Sequence, residues 1–178
     1  NLWLNSLSIS SQSFFKSNLI LDFGRTEDVP QGMLFSITLG TEIGEFENRL
    51  YSGLSLSMGR YIRNFGYLHG RLEGGGFMGS NGIIQQGVVN AEADYFTPLF
   101  IINRFKFRHF LNAQYIRGIR RFEDEYIRIN EPEGIRGFRS SLPAGQQRLS
   151  LNYEADIFTP YYLYGFRFVW CGFVDIGI

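Results

Sequence analysis

The sequence is short of almost everything that usually announces a function. It holds one cysteine, Cys171, which excludes an intramolecular disulfide framework and a Cys-rich zinc site. Basic and acidic residues balance at 17 each, so the electrostatic argument for a nucleic-acid partner falls away. Alanine is scarce, and almost no stretch shows helical spacing. No run approaches the roughly 18 apolar residues of a membrane helix, and mean hydropathy is only -0.09. A hydropathy average therefore reads the chain as soluble, and its 178 residues allow one domain or two small ones. Both ends look cut: the sequence starts at Asn1 without a Met or a charged-then-apolar segment, and Phe173–Ile178 stops inside a strand-like run.

Glycine, with 21 residues, and aromatics, at 17%, are what the chain has in excess. Its pattern is period two, the strand period. From Arg148 to Phe158, Leu149, Leu151, Tyr153, Ala155 and Ile157 share one face, while Arg148, Ser150, Asn152, Glu154 and Asp156 share the other. Similar alternation occurs over Met33–Gly40, Leu50–Met58, Val89–Tyr95 and Arg104–Tyr115. The pattern predicts about nine strands, spanning 2–10, 14–24, 33–43, 49–60, 65–78, 85–97, 104–117, 146–158 and 164–178. Most exceed the ~5–6 residues usual in globular sheets and match the ~9–11 or more of a tilted membrane-spanning strand. The fold class expected is all-β, an antiparallel transmembrane β-barrel meander.

Two features refine that expectation. Asp94-Tyr-Phe-Thr-Pro98 recurs as Asp156-Ile-Phe-Thr-Pro160, each copy ending an alternating strand in aromatics: Phe96 and Phe100 in one, Phe158, Tyr161 and Tyr162 in the other. These five are the candidate interfacial girdle, and each Pro is expected to stop its ladder for want of an N–H. Full charges also fall in mid-strand, at Arg71, Glu73, Glu92, Arg108, Glu154, Arg167 and Asp175. A sandwich turns such a face to water; a barrel turns it to a wet lumen and gives the apolar face to lipid, whose demand for paired backbone groups requires closure. Strand length, aromatic exits and glycine content favour the barrel. His109, on the apolar parity of its strand, is an exception.

Between the seventh and eighth strands runs a connection over about 118–145, long enough to read as functional. It contains Gly134, Ile135, Arg136, Gly137 and Phe138, in which the glycines allow tight turns and Arg136 supplies a planar donor for carboxylates.

Gly134-Ile-Arg-Gly-Phe-Arg139, Gly145 to Glu154, and Phe173-Val-Asp-Ile-Gly177 together resemble the bacterial surface antigen superfamily of outer-membrane barrels, the BamA/TamA family, related to two-partner secretion transporters. Phe23 to Gly32 is similar to that family's Glu-Asp-(Val/Ile)-Pro-x-Gly turn. The resemblance implies that the loop folds back into the barrel and that Arg136 pairs with Asp175, with Glu154 as the acid on the preceding strand and Phe173 and Gly177 completing the strand motif. It implies a sixteen-stranded barrel of which residues 1–178 form a partial record, with terminal strands and periplasmic POTRA domains outside the chain. The function implied is insertion of outer-membrane proteins or export of polypeptides, in the bacterial outer membrane, without cofactor or metal. Partners implied are outer-membrane lipid, client polypeptides and periplasmic or lipoprotein accessory subunits, and no nucleic acid. A passive porin-like channel and the barrel of a two-partner secretion transporter are the alternatives. An enzyme is not expected, since neither His69 nor His109 sits in a recognisable serine pattern.

Overall fold

The computed structural model describes residues 1–20, 23–45, 47–129, 134–138 and 144–178. Among them the protein is all-β and antiparallel, with no helix: β1 (Leu2–Asn18), β2 (Thr26–Ile43), β3 (Asn48–Ile62), β4 (Gly66–Met78), β5 (Ile84–Phe96), β6 (Phe100–Ile102), β7 (Phe105–Ile119), β8 (Ile127–Arg128), β9 (Ala144–Gly145), β10 (Gln147–Leu163) and β11 (Phe166–Gly177). Eight long strands pair in the order β1-β2-β3-β4-β5-β7-β10-β11, β6 lies beside β7 as a ninth, and β8–β9 form a separate ribbon. The order is a meander, with neighbours joined by short reversals except β7 and β10, which the long connection carrying β8 and β9 joins. Tyr164 and Gly165, both at positive φ, join β10 to β11 by a two-residue turn whose twist matches the strands it joins.

Three sequence expectations are corrected here. The segments 2–10 and 14–24 are not two strands: β1 pairs with β2 in unbroken register from Leu2↔Glu42 to Asn18↔Thr26. The polar run Ser10–Ser13 reads as a break, yet at a sheet edge both faces tolerate polar residues, and the chain reverses after Asn18 instead, with Leu19 and Gly24 at positive φ. Residues Glu27–Gly32 accordingly belong to β2 rather than to a turn. Pro30 is tolerated there because β2 pairs with β3 only from Gly32 onward, leaving no ladder partner for its missing N–H on that side. Finally, Pro98 does lie beyond the end of β5, but Pro160 sits inside β10, where the β10–β11 register shifts between Phe158 and Tyr162. The irregularity absorbs the proline that a regular ladder would reject.

The distribution of side chains is inverted relative to a soluble domain. Leu50, Leu54, Leu56 and Met58 of β3 and Phe35, Ile37 and Leu39 of β2 are exposed. The alternating Arg49, Tyr51, Ser55 and Ser57, and Ser36, Thr38 and Glu42, are shielded. Arg108, Gln114, Arg148, Ser150 and Thr159 are buried. The molecule exposes 12451 Å², against about 8,900 Å² expected for a folded soluble monomer of 20.5 kDa. The outward apolar parity of the strands and the two open faces of β1 and β11 contribute to that surplus.

The sheet curls strongly. Val29, Tyr67 and Phe96 pack with Phe15, Ile20 and Phe110 across its concave side, uniting β1, β2, β4, β5 and β7. The first hairpin reaches the far strands: Phe23 packs edge-on against Phe158 at 5.4 Å, Arg167 lies over Phe23, and Arg108 donates to Ser17 Oγ at 3.5 Å. Tyr67 Oη donates to Pro30 O at 2.7 Å, holding the hairpin to β4. Gly32 makes the bend possible: it adopts φ 141°, and a Cβ there would collide with the Ser11 carbonyl oxygen. Gly32→Ala is therefore expected to destabilise the folded chain by about 1–3 kcal/mol, read as a lower unfolding midpoint in detergent and faster proteolysis within the first hairpin.

Candidate functional site

The last two long strands present a polar strip to the concave face. On β10 the inward positions are Arg148, Ser150, Asn152 and Glu154; across the register Asn152 opposes Asp175, Glu154 opposes Phe173 and Ser150 opposes Gly177. Phe173, Asp175 and Gly177 therefore share one face of β11 because the strand period is two. The long connection docks onto this strip.

Arg136 is the centre of the contact. Its Nε donates to Asp175 Oδ2 at 2.9 Å and Nη2 donates to Asp175 Oδ1 at 2.8 Å, a bidentate fork, and its backbone N–H donates to Asp175 Oδ2 at 2.9 Å. Nη1 pairs with Glu154, and Nη2 reaches the Tyr153 carbonyl at 3.3 Å. The guanidinium lies 4.2 Å from the Phe173 ring centroid, a cation–π contact that a point-charge lysine would fill less well. Hydrogen bonding to Asp175 raises the Arg136 pKa above its already high value, so the cation is permanent.

Each remaining motif residue has a local reason. Gly137 takes φ 78°, the left-handed conformation glycine adopts without cost. The N–H of Phe138 donates to Ile135 O at 3.2 Å, closing the turn, and that of Ile135 donates to Ile129 O at 3.2 Å. Gly177 leaves the space in which Ile129 and Ile135 rest on β11, since a Cβ there would overlap both. Residues 130–133 and 139–143 of the connection, Arg139 among them, lie outside the described residues.

Sequence reasoning did not single out three further anchors. Arg148, 2% exposed, donates to Arg128 O at 2.9 Å and pairs with Gln114. Asn152 donates to Gly134 O at 3.0 Å. Gln86 Nε2 donates to Glu125 Oε1 at 2.7 Å at the start of the connection, holding the Glu125 carboxyl below the usual carboxylate range. The signal for the first two was present, since they share the parity of Glu154; what was missing was the loop's path. Gln86 had no such signal.

The candidate girdle divides. Phe100, Tyr161 and Tyr162 are exposed, but Phe96 and Phe158 are buried in the concave interior. This corrects their assignment: both fall on the even, inward parity of their strands, Phe96 stacking on Tyr67 at 5.1 Å and Phe158 meeting Phe23 edge-on. The outward neighbours at that end include Phe65, Tyr95 and Phe105, with Tyr95 Oη donating to Phe65 O at 2.6 Å. His109 belongs to the same outer group; its Nδ1 shares a 2.8 Å hydrogen bond with Tyr153 Oη, which resolves its exceptional parity.

The concave face also joins four strands through side chains alone. Ser57, His69, Asp94 and Asn112 form one hydrogen-bonded row, with distances of 2.9, 3.0 and 2.7 Å in that order. Glu154, Asp156 and Cys171 bring ligand-type atoms within 4.8 Å of one another, although Glu154 is already committed to Arg136.

No family model matches this chain, no curated protein matches it, and no solved structure matches its fold.

The Asp175 side chain is 3% exposed and that of Arg136 37%. Removing the cation strands a buried carboxylate, a loss of about 3–5 kcal/mol for a fully buried pair, reduced to about 2–3 kcal/mol by the solvent that reaches Arg136. Arg136→Ala and Asp175→Ala are each expected to release the connection, seen as rapid tryptic cleavage within 118–145 while the strands stay protected. Protection equal to the parent chain in both variants would exclude Arg136–Asp175 as the tether.

Proposed function

We propose that the chain is part of the transmembrane β-barrel of a bacterial outer-membrane assembly or translocation factor, resembling the BamA/TamA family. The observation that carries this reading is the docking of Gly134–Phe138 on the concave strip through Arg136, Asp175, Glu154 and Phe173. That arrangement agrees with the loop-in-lumen pairing the resemblance implies.

The membrane part of the proposal rests on the inverted sheet. Burying convex Leu, Ile, Phe and Met side chains in lipid removes an apolar surface too large for a soluble monomer to expose. Strands of 12 to 18 residues are long enough to cross a hydrocarbon layer at a tilt. Exposed rings at one end, Phe65, Phe100, Tyr161 and Tyr162 among them, suit the headgroup level. The order ends at β1 and β11, whose outer edges need further strands in lipid. The eight long strands are then about half of a sixteen-stranded barrel. Insertion or export of a polypeptide by such a barrel needs no cofactor: a lumen, a docked loop and strand edges act by non-covalent pairing. Clients, outer-membrane lipid and periplasmic or lipoprotein subunits are the proposed partners.

Depletion of the protein in a diderm bacterium is expected to lower the amount of folded, heat-modifiable outer-membrane proteins or of one exported polypeptide. Arg136→Ala is expected to reproduce that loss at normal abundance. Large single-channel conductance in planar bilayers, with every client assembled normally on depletion, would instead establish a passive channel.

A further inference from the structure

The row Ser57–His69–Asp94 has a chemistry that the assembly role does not use. Ser57 Oγ lies 2.9 Å from His69 Nε2, and His69 Nδ1 lies 3.0 Å from Asp94 Oδ2. The carboxylate fixes the tautomer: Nδ1 carries the proton toward Asp94, so the Nε2 lone pair faces the serine hydroxyl. Asn112 Nδ2 donates to Asp94 Oδ1 at 2.7 Å and orients the carboxylate in turn. Nucleophile, base and orienting acid are therefore in sequence, the geometry by which a serine is activated regardless of fold or chain order.

The row opens onto a cavity of about 350 Å³ lined by Ser57 and His69, within the ~300–1,000 Å³ range of small-molecule sites. Gly59 stands opposite His69 in the β3–β4 register; a Cβ there would meet Tyr67 Oη at 2.5 Å and approach the imidazole at 3.4 Å, so glycine keeps the ring accessible. Met33 and Leu34 supply apolar wall, while Gln12 and Gln31 supply amide groups. Gln31 Oε1 accepts from the Tyr61 N–H at 3.5 Å, which leaves its NH2 as the end that donates.

The geometry points to a second activity, hydrolysis of small carboxylic esters at Ser57 on the concave face. Ser57 Oγ bonds to the ester carbonyl carbon while its proton passes to His69 Nε2. The negative oxygen that develops takes hydrogen bonds from the cavity's amide donors. Collapse breaks the carbon–alkoxy bond, and His69 returns the proton to the departing oxygen, releasing an alcohol. Water then gives a proton to His69 and its oxygen bonds to the acyl carbon; the Oγ–acyl bond breaks, Ser57 recovers the proton, and a carboxylic acid leaves. Ser57 and His69 are the catalytic residues, and Asp94 is a positioning residue.

The test uses the intact protein that carries this chain, in detergent micelles, with a fluorophosphonate probe and p-nitrophenyl acetate and butyrate. The expected result is a single phosphonylated peptide carrying Ser57, and ester turnover that Ser57→Ala removes. Asp94→Asn should lower kcat at least about 100-fold, as loss of the orienting carboxylate does elsewhere, and shift its pH profile with little change in KM. Ser55→Ala, on the same face but bonded to Glu73, should leave both readouts unchanged. Should Ser57→Ala fail to fold, the labelled site in the parent chain still decides. Absence of labelling, labelling at another serine, turnover retained in Ser57→Ala, or an unaltered Asp94→Asn variant overturns the proposal and leaves the row as a structural network.

Discussion

A guanidinium gripped by two carboxylates, with an aromatic ring beneath it, joins the longest connection of this protein to its last two strands. Arg136 reaches Asp175 by a fork and a backbone N–H, Glu154 by its remaining nitrogen, and Phe173 by its face. The surrounding motif follows from that grip. Gly177 has no side chain because Ile129 and Ile135 occupy its space, and Gly137 turns the chain where another residue would be strained. Three inward positions on two neighbouring strands are thereby tied to one loop arginine.

The same strip shows how a buried polar face keeps most of its hydrogen bonds. Arg148 and Asn152 spend their hydrogen bonds on carbonyls of the connection, at Arg128 and Gly134, so the loop satisfies the strand and the strand satisfies the loop. Elsewhere on the concave face strands satisfy one another: Arg49 bridges Glu42 and Gln85, and Glu73 accepts from Ser55 and Asn90. Charged side chains are held inward by partners, which frees the outward parity to be apolar. On the proposed reading, that outward face is the part that meets lipid.

The sequence was most legible where period two is clean. β3, β4, β5, β7 and β11 lie within two or three residues of their expected spans. It was least legible in the first 32 residues, where a serine-rich run resembles a turn but continues a strand in full register with its partner. Breaker residues misled for the same reason: Pro30 and Pro160 each sit in a strand, because an unpaired edge and a register shift supply the exemption. The two buried rings of the repeat, Phe96 and Phe158, show that composition at a strand end does not tell which face a residue takes, whereas parity does.

Alternation by itself therefore indicated the all-β class, most of the strands, and the polar and apolar faces, because a strand's two faces are written directly into odd and even positions; Arg136, Asp175 and Glu154 were candidates through the loop motif and its resemblance, with parity placing the two carboxylates inward. Register, curl and the path of the connection were decided only in three dimensions. These depend on contacts between residues tens of positions apart, which no local pattern encodes. The row Ser57–His69–Asp94 is the plainest case: its members lie 12 and 25 residues apart, and only the pairing of β3 with β4 and of β4 with β5 brings a hydroxyl, an imidazole and a carboxylate into line.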